Sequence, residues 1–275
     1  MKIQYLGTAA CEGWPALFCR CEACEKARLK GGKNIRTRSQ SIIDDCLLVD
    51  MPADTYYHAL KYNMDLSAIE HILITHSHDD HFYPLDMLMK TEPYAYNGKV
   101  GKMYVYGNSV VSAMLEKSME ASGTENVYDY INPVTVKEFE PFKAGEYVVT
   151  ALTANHMTTE EAFIYIIEKD GKRMLYAHDT GVFPKTTLEY IHKLHFDFVS
   201  LDCTLGIRSF DHGHMGLPNN IFIKRRMMEA GCVNDRTIFA INHFSHNGRA
   251  LHDELEKEAA SSGFITSYDG LIINF

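Results

Sequence analysis

The sequence predicts an α/β fold in which two mixed β-sheets pack face to face with helices on the outer faces. Short apolar runs rich in β-branched and aromatic residues recur in groups, with helical segments between and after them. The chain has 275 residues, 46% of them hydrophobic, so a single domain over residues 1–275 with one sizeable core is expected. No fixed-period repeat, low-complexity stretch or linker interrupts that pattern.

Residues 2–8 read as a first strand, and Cys46-Leu47-Leu48-Val49 as a short buried strand ending in Asp50. Tyr56 to Asn63 reads as a helix. Ser67, with Glu70 three residues on, reads as the cap of a short helical turn before a strand at Ile72-Leu73-Ile74. A strand at 103–106 and a helix at 109–122 follow. Four strands are expected at 135–139, 147–152, 163–168 and 174–177, and a helix at 185–195. Beyond them lie a strand at 198–201, helices at 219–230 and 252–260, and strands at 237–241 and 271–274. The longest irregular stretches, 91–101 and 204–218, have the length of binding loops.

Basic residues number 27 against 36 acidic, a formal net charge of −9. An acidic surface repels polyphosphate, so no long nucleic acid is expected as partner; a small anionic phosphorylated substrate remains compatible. No apolar run approaches the roughly 20 residues of a membrane helix, and the first residues reach polar and glycine positions too early for a signal peptide. A cytoplasmic protein without membrane attachment is therefore expected.

The chemistry centres on Thr75-His76-Ser77-His78-Asp79-Asp80-His81. It follows a strand and precedes a helix, so three imidazoles and the Asp80 carboxylate can converge from one tight loop. A solvated polar turn would not need that His-x-His-x-Asp-His spacing; a metal site does. Imidazole suits zinc, and added carboxylate widens the choice toward manganese. His156, Asp179 and His243 each fall just past the end of an expected strand, repeating one arrangement.

On Thr75 to His81, Asn155-His156, Asp179-Thr180 and Asn242-His243, the chain resembles the metallo-β-lactamase superfamily of metallohydrolases. The resemblance implies an αββα sandwich with a dinuclear site at one edge, holding two divalent ions, manganese or zinc. His76, His78 and His156 would hold one ion, Asp80, His81 and His243 the other, and Asp179 would bridge them. Asp50 resembles the acid that braces the ligand loop without binding metal. Pro84 departs from the glycine the superfamily often places there, so the next helix should start differently.

Seven cysteines are present, and three crowd into Cys19-Arg20-Cys21-Glu22-Ala23-Cys24. A loop at 19–24 with three thiolates lacks one ligand of a tetrahedral structural zinc, and His246 is the best fourth. Cys11, Cys46, Cys203 and Cys232 have no partner at metal spacing and read as small core residues. The cysteine loop resembles the phosphoribosyl cyclic phosphate phosphodiesterase branch, although a pyrroloquinoline-quinone biosynthesis protein shares it. That branch implies hydrolysis of a five-membered cyclic phosphate on ribose by hydroxide held between two cations, in a homodimer. His214, in Asp211-His212-Gly213-His214, aligns with the histidine that branch uses near the scissile bond and is the candidate proton donor; His212 is the competitor. Arg36, Arg38 and Arg208 could grip a distal phosphate.

Rivals share the site. A lactonase or thioesterase would attack carbon, and an RNA nuclease a long phosphodiester. A non-catalytic metal-binding protein would need only part of the ligand set. A flavodiiron oxidoreductase would carry Glu where His78 stands, together with a flavin domain.

Overall fold

A computed structural model describes residues 1–96, 101–209 and 212–275. Six strands come first: β1 (Lys2–Gly7), β2 (Gln40–Ile43), β3 (Leu47–Val49), β4 (His71–Leu73), β5 (Met103–Gly107) and β6 (Ile131–Thr135). Seven follow: β7 (Pro141–Ala144), β8 (Tyr147–Thr153), β9 (Phe163–Lys169), β10 (Lys172–Ala177), β11 (Phe198–Asp202), β12 (Ile238–Asn242) and β13 (Ile265–Thr266). β14 (Ile272–Asn274) then returns to pair antiparallel with β1. The first sheet runs β14-β1-β2-β3-β4-β5-β6 and the second β13-β12-β11-β10-β9-β8-β7. In each, a parallel run (β3 to β6, β10 to β13) continues into antiparallel pairs.

Side-chain period two explains the layering. On β3, Leu47 and Val49 enter the core between the sheets, while Leu48 faces outward with Val111, Leu115 and Met119. On β9, Phe163, Tyr165 and Ile167 face inward, while Ile164 and Ile166 pack with Ile223, Met227 and Leu255. The outer partners come from α4 (Ser109–Ala121), α7 (Leu217–Glu229) and α8 (His252–Ser261). Here the helices are numbered in chain order with α1 (Glu22–Lys30), α2 (Thr55–Tyr62), α3 (Pro84–Met87), α5 (Val127–Tyr130) and α6 (Lys185–Ile191). The strands are covered on both faces, which is why most read as continuous apolar runs.

Three expectations shift. The strand read at 135–139 is β6, at Ile131–Thr135; it lies at a sheet edge, where Pro133 costs no ladder hydrogen bond. β7, opening on Pro141, was not expected and forms the corresponding edge of the second sheet. The turn at 66–68 is capped by Asp65, whose side chain accepts from Ser67 N, so Ser67 is not the cap. Pro84 takes the first turn of α3, where its missing N–H is no loss. Among the described residues, no helix is long and apolar enough to cross a membrane. The irregular stretches at 91–101 and 204–218 lie partly outside the described residues.

Candidate metal centre

The C-terminal ends of β3, β4, β8, β10, β11 and β12 reach one edge of the sandwich, and every expected ligand of the dinuclear site follows one of them. His76, His78, Asp80 and His81 follow β4, His156 follows β8, Asp179 follows β10 and His243 follows β12. Asp50 (φ 65°), Asp179 (φ 53°) and His243 (φ 63°) are held in the left-handed region, which turns each side chain out of its strand. Such conformations cost on the order of 1 kcal/mol or more outside glycine and gather where a site requires them.

The convergence is tight. Asp179 Oδ2 lies 3.3 Å from the Nε2 atoms of His76, His81 and His156, and 3.8 Å from that of His243. His76 Nε2 approaches His78 Nδ1 to 2.9 Å, and His81 Nε2 approaches His243 Nε2 to 3.1 Å. Asp80 Oδ2 lies 3.3 Å from His81 Nε2. Two groups result, His76–His78–His156–Asp179 and Asp80–His81–Asp179–His243, with the ligand atoms of each within 4.8 Å of one another and Asp179 common to both.

The far nitrogen is held in four of the rings, those of His76, His81, His156 and His243. His81 Nδ1 meets Asp50 Oδ2 at 2.7 Å, while Asp50 Oδ1 accepts from Thr75 N and Thr75 Oγ1 at 2.8 and 2.9 Å. His76 Nδ1 meets Thr75 Oγ1 at 3.0 Å, and His156 Nδ1 donates to Gly213 O at 3.2 Å. His243 Nδ1 meets Thr204 Oγ1 at 2.8 Å, with Asp202 Oδ2 at 3.3 Å. A proton on Nδ1 facing an acceptor leaves the Nε2 lone pair aimed at the cluster, the orientation a metal ligand needs.

Charge tells the same story. Burial would raise the Asp179 carboxyl, but His243 and the imidazoles of His214, His76 and His81 outweigh it and hold it well below the usual carboxylate range. Burial would depress His81, yet Asp80, Asp50 and Asp179 push it well above an ordinary imidazole. Burial pushes His156 down to about 4 despite Asp179. Clustered carboxylates thus recruit protons onto some rings and not others; cations would supply the same balance without protons.

The donor set fits divalent ions on a further observation. Asp179 Oδ1 pairs with His214 Nδ1 at 2.9 Å, which leaves Oδ2 as the carboxylate oxygen facing the imidazoles of both groups. Ligand separations near 3.3 Å also match the edge of a tetrahedron with metal–nitrogen bonds of about 2.05 Å, roughly 3.3 Å.

His214 is about one-third exposed, its ring centroid 5.3 Å from that of His156 and tilted against it. Burial would lower it, while contact with Asp179 raises it to about 9. His212 is exposed and makes no such approach. Asp202 escaped the sequence reading. It is fully buried, accepts from Thr204 N and Met215 N through Oδ1, and so ties the His243 strand end to the His214 loop. Its signal was available: an acid closing Val199-Ser200-Leu201, as Asp50 closes Leu47-Leu48-Val49.

Cys19, Cys21, Cys24 and His246 form a second group within 4.8 Å. His246 Nδ1 lies 3.3 Å from Cys21 Sγ and 3.6 Å from Cys19 Sγ, and its contact with Cys21 lowers that thiol to about 6. The segment 19–24 is not all loop. α1 begins at Glu22, with Glu22 and Glu25 in its first turn and Arg28 and Lys30 in its last, so Cys24 is placed by a helix. Cys203 and Cys232 are buried as expected, but Cys11 and Cys46 are exposed and not core residues.

Arg36 cannot grip substrate. It is buried, donating to Thr8 Oγ1, Ser267 O and His252 Nδ1. Arg38 is paired with Asp54 and Cys11 O. His252 must accept from Arg36 and is therefore neutral; burial, with Arg36 adding to it, lowers it to about 4 from 6.5. A depressed folded value means its stabilisation is complete above pH 6.5 and is lost as pH falls toward 4. His252→Asn keeps an acceptor for Arg36 without titrating. Over that range its melting temperature should fall less than that of the wild type; an equal fall would refute the assignment.

A ribonuclease Z of Listeria innocua is 29% identical over 184 residues, 64% of this chain and 52% of the relative. A ribonuclease Z of Bacillus licheniformis is 31% identical over 162 residues, 57% of this chain and 46% of the relative. The chain thus spans about half the length of these curated relatives. Among solved structures, a diphosphatase from the PhnP family superposes with a TM-score of 0.77 at 20% identity, covering 100% of this chain and 97% of the other. Zinc-bound PqqB from Methylobacterium extorquens gives 0.75 at 16% identity, covering 100% of both chains. The metallo-β-lactamase-fold protein YhfI from Bacillus subtilis gives 0.69 at 17% identity, covering 99% of both. Two seven-stranded sheets with outer helices and these superpositions make the fold an αββα sandwich of the metallo-β-lactamase type. The family model of the anti-Pycsar protein Apyc1 matches residues 40–227, more than half of the sequence, and the chain belongs to that family.

Proposed function

We propose that this protein is a metal-dependent phosphodiesterase that opens a cyclic phosphate carried on a ribose. The observation that carries the reading is Asp179 Oδ2, shared at 3.3 Å by imidazoles of both ligand groups. His76, His78 and His156 would hold one divalent ion, Asp80, His81 and His243 a second, and Asp179 both; Cys19, Cys21, Cys24 and His246 would hold a structural zinc. Bound divalent ions of zinc or manganese type supply Lewis acidity, lowering the pKa of water and offsetting charge on phosphoryl oxygens.

The chain's own residues do the rest. Asp50 and Thr204 fix which nitrogen of His81 and His243 faces the cluster. His214 stands beside Asp179 on the half-open side, where it can give a proton to the departing sugar oxygen. Asp202 keeps that loop in register through Met215 N. The reading takes residues 1–275 as one domain and the molecule as a cytoplasmic homodimer, the dimer to be checked by light scattering.

A panel tests it: five- and six-membered ribose cyclic phosphates, an aryl phosphodiester, a lactone and a short RNA, each with zinc and with manganese. Selective turnover of a cyclic phosphate supports the reading; turnover of lactone alone discards it. The names of the ribonuclease Z relatives favour RNA as the second reading, against which stands the net charge of −9. His214→Ala should slow cyclic phosphate opening roughly 100- to 10,000-fold. It should cost the aryl diester far less, because that leaving group needs no proton. Equal losses on both substrates would remove His214 from the donor role.

A further inference from the structure

We infer that Glu160 is a positioning residue that sets the separation of the two loops supplying His76, His78 and His156, and so selectively governs metal affinity at that position. The inference rests on the metal-site reading above. Glu160 lies in the loop between β8 and β9, four residues after His156. Its Oε1 accepts from Ser77 N at 3.1 Å and from Ser77 Oγ at 2.5 Å. Ser77 sits between His76 and His78. Its Oε2 accepts from Asn108 Nδ2 at 2.6 Å, and Asn108 also donates to Glu161 O at 2.8 Å. Asn108 is anchored in turn, because its Oδ1 caps α4 by accepting from Val110 N and Val111 N at 2.9 Å each.

Both oxygens of one carboxylate therefore cross from the second sheet's loop to two loops of the first. The tie matters because packing does not hold this corner. His78 is exposed and Ser77 is only half-buried, although the His156 side chain itself is 7% exposed. The other ligand group has separate supports: Asp50 on His81, and Thr204 with Asp202 on His243. None of these passes through Glu160. Loss of the carboxylate should widen the His78-to-His156 gap, now 3.3 Å, while leaving Asp80, His81 and His243 in place.

The polarity of the bridge can be inverted. In Glu160→Gln the amide oxygen can still accept from Ser77, but the amide nitrogen then faces the Asn108 amide nitrogen, donor against donor. Adding Asn108→Asp supplies an acceptor there and keeps a strong helix cap, but gives up the bond to Glu161 O, so only partial recovery is expected. The experiment is calorimetric titration of chelator-stripped full-length protein with zinc, for wild type, Glu160→Ala, Glu160→Gln and Glu160→Gln/Asn108→Asp. The two active-site ions are resolved from the cysteine-site ion by parallel titration of Cys24→Ala.

Glu160→Ala is expected to weaken one active-site ion about 10- to 100-fold and leave the other within about twofold. Glu160→Gln should fall between, and the double variant should recover toward wild type. Uniform weakening of both ions, or unchanged affinity in Glu160→Ala, would overturn the assignment. If wild type itself takes up no ions at the histidine cluster, the metal-site reading fails instead, so the two failures are distinguishable.

Discussion

Asp179→Asn is expected to lower kcat/KM for the cyclic phosphate by roughly 1,000-fold or more and to strip at least one ion from the histidine cluster on dialysis. Asp179 is the one residue common to both ligand groups. Its Oδ2 lies 3.3 Å from His76, His81 and His156, so one atom joins rings of both groups. The amide removes the charge that two cations need and turns one ligand atom into a donor facing imidazole. Backbone strain does not confuse the result, because Asn tolerates the φ of 53° as Asp does. Metal analysis alongside turnover makes the check: two retained ions with near wild-type turnover would remove Asp179 from the bridging position.

Cys24→Ala is expected to have the largest effect on stability. Cys24 is fully buried in the first turns of α1, and its sulfur accepts from Ala16 N at 3.3 Å. Cys19 and Cys21 lie on the preceding loop, and His246 is brought from beyond β12, so an ion here would staple the N-terminal segment to a distant strand end. Structural zinc binding is also folding free energy. Losing it should destabilise by on the order of 3–5 kcal/mol, lowering the melting temperature by about 10 °C. Alanine preserves the helix, so a small effect cannot be blamed on propensity. Thermal unfolding with and without chelator, with zinc content measured on the same samples, reads the result. An unchanged melting temperature and undiminished zinc would exclude the staple.

Some parts of the site were legible because their signal is local. His76, His78, Asp80 and His81 share one loop, and His156, Asp179 and His243 each follow an apolar run of strand length. Other parts were not. Glu160 is one acid among many in a polar stretch, and nothing near it in sequence points to Ser77 or Asn108. Asp202 carried the same strand-end signature as Asp50 but stood beside no histidine. β6 and β7 were displaced or overlooked because proline in a strand is readable only once the strand is known to be an edge. Arg36 looked like a phosphate ligand because a guanidinium in a sequence does not announce that it is buried.

By itself the sequence determined the layers and the ligand chemistry: side-chain period sets which face of each strand is apolar, and residue type sets what can bind a cation. Only the tertiary structure decided which atoms meet. It placed Asp179 Oδ2 between rings from both sheets, assigned the far nitrogens of His81 and His243 to Asp50 and Thr204, and brought His214 rather than His212 to the cluster. Those choices depend on strand order and on backbone direction at strand ends, which are set by packing between segments far apart in the chain and leave no periodic trace within any one of them.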